Sequence, residues 1–242
     1  MRRLRRTILS LIALALLGLG ALLLYGHARR HPEDVPWTAL DLGRPIGLFT
    51  GRKLADLADE GQRCQGLMRR AGIAFTALPP RSAGQCGYDH AVRFAAGGSR
   101  GIAYRPADLG TSCAVAAALA LWEWHVVQPA ARRHFGRPVA AIEHFGSYSC
   151  RRVYGRDEGA WSEHATANAV DIAAFTLEGG RRISVVNDWG DDDAEGRFLR
   201  EVRDGACDVF ATVLSPDYNA AHRDHFHLDQ AARGAMGWRG CR

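Results

Sequence analysis

Two stretches of the sequence, SEHATANAVDIA and HRDHFH, contain the residue types that bind catalytic zinc. The first stretch carries His164 and Asp171, and the second ends in His227. Two imidazoles and one carboxylate can supply the three protein ligands of a zinc ion whose fourth position holds water. Each residue alone fits a surface or hydrogen-bonded role, but the two clusters have complementary ligand types. The sequence therefore predicts a zinc site formed by His164, Asp171 and His227.

The second cluster has the alternation expected of a strand. In DHFHLD, a strand places His225 and His227 on one face and Phe226 and Leu228 on the other, toward a core. One histidine can then bind the metal while its neighbour faces the same site.

The first cluster surrounds a strand-like run that contains a single acid. Residues 169 to 175 are apolar apart from Asp171, which predicts a buried strand. A carboxylate is costly there unless it is paired or bound to a metal. His164 is too far from Asp171 for one helical turn, so a short connection must bring them together.

The elements around these clusters predict an α+β domain, with a small antiparallel-type sheet that carries the zinc site and packs against helices. We expect helical segments within residues 51–71, from Cys113 to Val127 after an N-cap at Ser112, and from Pro129 to Gly136. The segments with strand or helix character in the second half are VAAIEHFGSYS, AVDIAAFTL, RISVVNDW, CDVFATVL and HFHLD as strands, and AEGRFLREVRDG as a helix.

The N-terminus predicts a membrane anchor. MRRLRR precedes an uncharged run from Thr7 to Gly26 that is long enough to cross a bilayer, and no A-x-A-like cleavage site follows it. We expect a transmembrane segment over residues 1–26, a linker over 27–50 and one domain over 51–242. Four of the formal +5 charges are arginines before Thr7, leaving +1 for the remainder. That small net charge argues against a nucleic-acid partner. The sequence does not indicate an oligomeric state.

The six cysteines all follow the apolar run, which fits disulfides in an exported domain. None forms a Cys-x-x-Cys pair, which argues against a cysteine zinc site. Fifteen pairings are possible, and the local pair Cys64–Cys86 is our preferred one.

These motifs resemble those of known families. Ser-x-His-x6-Asp with a downstream His-x-His is similar to the zinc peptidases of the D-Ala-D-Ala carboxypeptidase and murein endopeptidase group. The stretches TSCAVAAALALWEWHVVQPAARRHFG, FGSYSCRR and SPDYNAAHRDHFHLD resemble the bacterial extensin-like C-terminal family, over roughly residues 60 to 230. The nine prolines, with one Pro-Pro doublet, are too few for a plant-extensin rod.

The resemblance implies a zinc hydrolase of peptidoglycan peptide bonds, anchored in the inner membrane by a single pass with its catalytic domain in the periplasm. Asp224 or His222 would act as the base, His225 would contact the oxyanion or orient the substrate, and Arg151 would bind an oxyanion or a carboxylate. Two of them also have a structural reading, a surface ion pair for Arg151 and support of the strand end for His225. A D,D-carboxypeptidase and a non-catalytic peptidoglycan-binding module are the alternatives.

The chain departs from the resembled pattern at Ala167, where those relatives commonly have glycine. If the position requires a positive φ, alanine costs about 1 kcal/mol there. Because all three predicted ligands are present, we expect a functional site.

Overall fold

The computed structural model describes residues 2–233 and 239–242. Its first helix, α1, spans Arg2–Arg30 and has no buried residue. It is long and apolar enough to cross a membrane or to act as a signal sequence. The apolar helix predicted at the N-terminus is therefore present, and it continues four residues beyond Gly26.

The other helices lie in the domain. Ser112 caps α4 as predicted, because its Oγ accepts a hydrogen bond from Val115 N at 3.2 Å. The chain stays helical after α4 through a wide π-type turn at Glu123–Val127, and α5 then ends at Gly136 with φ 66°. The helices are α2 (Thr50–Ala55), α3 (Gly61–Arg70), α4 (Cys113–Trp122), α5 (Gln128–Phe135), α6 (Val185–Asp188) and α7 (Ala194–Ala206).

The strands form three sheets. The strands are β1 (Phe75–Ala77), β2 (Arg81–Ala83), β3 (Cys86–Tyr88), β4 (Ala91–Phe94), β5 (Ala103–Arg105), β6 (Gly110–Ser112), β7 (Val139–Gly146), β8 (Ala169–Leu177), β9 (Arg182–Ser184), β10 (Thr212–Leu214), β11 (Phe226–Asp229) and β12 (Gly240–Cys241). The largest sheet has the order β12-β10-β11-β8-β7-β5, with β9 paired to β8. β1, β4 and β6 form a second sheet, and β2 and β3 form a separate hairpin.

The α+β class is confirmed, but the main sheet is larger and more mixed than predicted. Its seven strands include two parallel pairs, β5 with β7 and β10 with β12, at its two edges. β5 and β7 are parallel because the chain crosses over between them through α4 and α5. The central pairs, β10–β11, β11–β8 and β8–β7, are antiparallel as expected.

The core lies between the main sheet and the helices. All of β8 except Thr176 is buried, as its apolar sequence predicts. The Trp122 ring of α4 lies 5.8 Å from that of Phe175 in β8, and its Nε1 donates to the Val202 carbonyl of α7 at 2.8 Å. Phe198 of α7 packs against Phe175 at 5.2 Å. β8, the strand that carries Asp171, is therefore packed into the core by α4 and α7.

Two of the predicted strands are shorter than expected. RISVVNDW is a strand only at Arg182–Ser184, because Asp188 Oδ2 accepts from Ser184 N at 2.7 Å and stabilises the start of α6. CDVFATVL is a strand only from Thr212, because turns continue α7 through a hydrogen bond from Phe210 N to the Ala206 carbonyl at 2.9 Å.

The predicted disulfide Cys64–Cys86 is wrong. The pairs are Cys64–Cys113, Cys86–Cys150 and Cys207–Cys241. Cys64 lies on α3, which packs against α4, and therefore meets Cys113 at the start of α4. Cys86 lies on the β2–β3 hairpin, which faces the segment after β7. Proximity in sequence gave the wrong partner because the two cysteines belong to elements that pack against different neighbours.

Residues 27–50, the predicted linker, include side chains that contact the domain. Leu40 and Leu42 are buried in the core. Lys53 of α2 donates to the Pro32 carbonyl at 3.0 Å and to Thr38 Oγ1 at 2.9 Å. This segment therefore packs on the domain along part of its length.

Candidate metal centre

The main sheet and one short turn bring the three predicted ligands together. In the antiparallel pairing of β8 with β11, Asp171 lies directly opposite His227. His164 lies on a 3-10 turn, Glu163–Thr166, that leads into β8. The hydroxyl of Ser162 caps this turn by accepting from His164 N at 3.3 Å. Strand register and a capped turn thus place residues from two distant parts of the sequence at one point.

The three ligand atoms converge closely. Asp171 Oδ1 lies 3.2 Å from His164 Nε2 and 3.0 Å from His227 Nδ1, and the two nitrogens are 3.1 Å apart. Zinc bonds of 2.0–2.1 Å in a tetrahedron separate ligand atoms by roughly 3.3 Å. The exposed fractions of His164 and Asp171 are 3% and 8%. The group therefore has the composition and approximate dimensions of a three-ligand metal site.

The outer nitrogens of both histidines are hydrogen-bonded to oxygens that can only accept. His164 Nδ1 donates to the Ser147 carbonyl at 2.6 Å, and His227 Nε2 donates to Asp229 Oδ2 at 3.1 Å. In the neutral rings, the lone pairs of His164 Nε2 and His227 Nδ1 then face Asp171. This is the usual environment of metal-binding histidines, whose second nitrogen donates to a carbonyl or carboxylate.

Asp229 contacts the candidate ligand group and was not identified from the sequence. It is buried, and its second oxygen accepts from Ala231 N at 3.0 Å. It lies two residues after His227 on β11, so both side chains share a face of the strand. That two-residue spacing, His227-Leu-Asp229, is the signal that could have identified it.

The electrostatics of the group favour a positive charge between its carboxylates. Burial acts to raise the pKa of Asp171, but hydrogen bonds and positive charge from the imidazolium forms of His164 and His227 outweigh it and hold that pKa far below its usual range. Burial acts to lower the pKa of His227, but hydrogen bonds to Asp171 and Asp229 outweigh it and raise that pKa to about 9. Either a proton or a metal ion can supply the charge that these carboxylates favour.

The turn that carries His164 ends in a residue with left-handed backbone geometry. Ala167 has φ 56° and ψ 21°, which confirms that this position requires a positive φ. Its carbonyl accepts from Ser112 N, Thr111 Oγ1 and Ser147 Oγ at 2.8, 3.0 and 3.1 Å. These hydrogen bonds hold the conformation despite a cost of about 1 kcal/mol for a non-glycine residue.

Three of the four predicted catalytic residues, His225, Asp224 and His222, lie beside the group. His225 Nε2 is 3.6 Å from Asp171 Oδ1, and its Nδ1 is 2.9 Å from Asp224 Oδ1. His222 lies with its ring 6.0 Å from that of His227. Asp224 therefore contacts His225, and His225 is the residue that extends a nitrogen toward the ligands. Phe226 and Leu228 are fully buried, which confirms the predicted alternation.

His222 is oriented by the loop before β11. Its Nδ1 lies 2.8 Å from Asn219 Oδ1, and Asn219 Nδ2 donates to Tyr154 Oη at 3.0 Å. Burial and the neighbouring His225 and His227 lower the pKa of His222 to about 4. The ring is therefore neutral near pH 7.

Arg151 is not brought to the group by a side-chain contact. It is exposed, and across residues 2–233 and 239–242 its guanidinium makes no hydrogen bond or ion pair. Its carbonyl accepts from Ser162 N at 3.1 Å and so supports the turn that carries His164. Its role in binding an oxyanion or a carboxylate stays a prediction.

Comparison with known proteins identifies the family. The family model described as "Extensin-like protein C-terminus" matches residues 62–242. No curated protein and no solved structure matches the chain. Because the match covers most of the chain, including every residue of the candidate metal centre, this protein belongs to the family of extensin-like protein C-terminal domains.

Proposed function

We propose that this protein is a zinc-dependent hydrolase that cleaves peptide bonds in peptidoglycan, with α1 as its membrane anchor and the domain on the periplasmic side. The main support is that His164 Nε2, His227 Nδ1 and Asp171 Oδ1 lie within 3.0–3.2 Å of one another. Three disulfides and an apolar N-terminal helix support an exported domain. The substrate class rests on the resemblance of the motifs to those of zinc peptidases acting on cell walls.

The residues present fit zinc. Nitrogen and carboxylate oxygen ligands suit this metal, and three protein ligands leave a position open for catalysis. When bound, zinc supplies Lewis-acid polarisation of a carbonyl and a water whose pKa is lowered to about 7. Ser147 and Asp229 fix the rings of His164 and His227, so the site is organised before substrate binds.

The protein's own proton transfer is assigned to His225. Its Nε2 is directed at the ligand group, and the carboxylate of Asp224 holds the opposite nitrogen. This arrangement lets His225 take a proton from the attacking water and later give it to the leaving amine. Asp224 then stabilises the charged His225 ring. The earlier alternatives remain testable, because Asp224 and His222 both lie next to His225.

The test is digestion of purified cross-linked muropeptides by the detergent-solubilised full chain, followed by mass analysis. We expect cleavage of the cross-link that a chelator abolishes and zinc restores. His227→Ala should eliminate it, whereas His90→Ala, which changes an exposed histidine, should not. Loss of one terminal residue with an intact cross-link would identify the carboxypeptidase alternative. Zinc-loaded protein that binds but does not cleave would identify the binding module.

A further inference from the structure

A cavity adjoins the candidate metal centre at the end of β7. Its volume is about 440 Å³, and its lining includes Phe145, Gly146 and Ser147. The Phe145 ring lies 5.7 Å from that of His225, and the Ser147 carbonyl binds His164. Gly146 is paired with Asp171 between β7 and β8. The cavity and the metal centre therefore share one stretch of backbone.

The β2–β3 hairpin forms one wall of this cavity. Arg81 and Tyr88 are paired across the hairpin and both line the cavity. The Arg81 guanidinium carbon lies 4.5 Å from the centre of the Tyr148 ring, and Tyr88 packs edge-on against Tyr148 at 5.5 Å. The disulfide Cys86–Cys150 fastens the hairpin to the segment that carries Tyr148. All of β2 is exposed, so this strand adds no buried side chain to the core and instead borders the cavity through Arg81.

Two residues of the lining each have one buried side-chain atom without a partner among residues 2–233 and 239–242. The atoms are Tyr148 Oη and His144 Nδ1, and His144 as a whole is 6% exposed. His144 Nε2 donates to the Pro106 carbonyl at 2.7 Å, and burial lowers the pKa of the ring. Nδ1 of the neutral ring is therefore an acceptor, while the Tyr148 hydroxyl is a donor. Buried polar groups are normally hydrogen-bonded, so each of these two atoms has a hydrogen bond still to make.

The charge of the lining favours an anion. In the described part of the chain, the cavity has two arginines, Arg81 and Arg93, against one carboxylate, Asp108. Neither arginine makes an ion pair or side-chain hydrogen bond with another described residue. A guanidinium offers a fork of donors that matches a carboxylate. With the Tyr148 hydroxyl, the cavity thus presents several donors and one buried acceptor.

We propose that this cavity is a substrate subsite for a carboxylate-bearing peptide segment, in which Arg81 and the Tyr148 hydroxyl bind the carboxylate and His144 Nδ1 accepts a peptide N–H. The proposal deepens the peptidase function and rests on it for the identity of the peptide. The proposal gives a reason for the disulfide that fastens the β2–β3 hairpin, whose first strand is exposed, beside the candidate metal centre. Arg93 adds charge at the same cavity, and the segment from Phe145 to Ser147 leads from the subsite to the ligands.

The experiment measures peptide binding separately from turnover. The detergent-solubilised full chain, treated with a chelator, is titrated by calorimetry with a peptidoglycan stem tetrapeptide and with the same peptide amidated at its carboxyl groups. We expect the free acid to bind about tenfold more tightly or better, as for a charge-assisted hydrogen bond. Arg81→Gln should remove most of that preference. Arg132→Gln, at an exposed arginine of α5, should leave it unchanged.

Tyr148→Phe separates a binding role from a structural one. It keeps the ring beneath Arg81 and removes a hydroxyl that has no protein partner, so the melting temperature of the free chain should not fall. Binding of the free-acid peptide should nevertheless weaken severalfold.

Equal affinity for acid and amide, or unchanged binding in Arg81→Gln, would overturn the subsite. Carboxylate-dependent binding without any hydrolysis would refute the peptidase and leave the subsite standing. Hydrolysis without a preference for the free carboxylate would support the peptidase and refute the subsite.

Discussion

Replacing Asp229 by asparagine should weaken zinc binding without removing a ligand. The carboxylate of Asp229 accepts two hydrogen bonds through separate oxygens, from His227 Nε2 at 3.1 Å and from Ala231 N at 3.0 Å. An amide of the same shape has one acceptor oxygen, so whichever way it is turned, one donor meets an NH2 group. His227 thereby loses either its orienting acceptor or the negative charge that makes its Nδ1 more basic.

The expected loss is about tenfold to a hundredfold in zinc affinity, the usual effect of removing such an outer partner. This corresponds to about 1.4–2.7 kcal/mol. The assay is competition for zinc against a chromophoric chelator, with thermal unfolding of the zinc-free protein measured alongside. Asp193→Asn is the matched control, because Asp193 Oδ1 also accepts from a backbone N–H, that of Gly196 at 3.0 Å, far along the chain at the start of α7. Affinity within twofold of wild type in Asp229→Asn, or an equal loss in Asp193→Asn, would refute the reasoning.

Three further predictions concern proton transfer, a buried acid and the disulfides. His225→Ala should lower muropeptide turnover by roughly a hundredfold or more with zinc content unchanged. Asp224→Asn should lower turnover less severely. A greater loss of turnover in His222→Ala than in His225→Ala would assign the proton transfer to His222. Burial raises the pKa of Glu123 from 4.5 to about 7, against the opposing hydrogen bonds from Ser99 and Tyr104. The folded state therefore holds this proton more tightly, so stability should be full below pH 4.5 and fall by about 3 kcal/mol as pH rises to 7; urea unfolding of Glu123→Gln should lack this fall, and an unchanged pH dependence would refute the assignment. Thiol counting in denaturant should find no free cysteine, and finding free thiols would contradict the three disulfides.

Much of the ligand group was predictable because local patterns determine it. The apolar run around Asp171 predicted β8, and alternation in HFHLD predicted that His225 and His227 share a face. The contact between Asp171 and His227 depends on strand register, which the sequence does not state. The grouping of these ligands was instead inferred from the complementary residue types of the two clusters.

The outer contacts were not predictable in the same way. The Ser147 carbonyl belongs to a backbone segment whose position follows from tertiary packing, and no side-chain type marks it. Asp224, the first candidate for the base, contacts the adjacent His225, and it is His225 whose nitrogen faces the ligands. The disulfides depend on which elements pack together, so Cys86 pairs with Cys150 and not with Cys64, which is nearer in sequence.

The central claim, that His164, Asp171 and His227 bind a metal ion, is tested most directly by metal analysis of the purified full chain. We predict one equivalent of zinc per chain in the wild type and in His90→Ala, and less than about a tenth of an equivalent in His227→Ala and Asp171→Ala when these variants remain folded. A wild-type chain that neither retains zinc nor takes it up in micromolar titration, or a His227→Ala chain that keeps a full equivalent, would contradict the account.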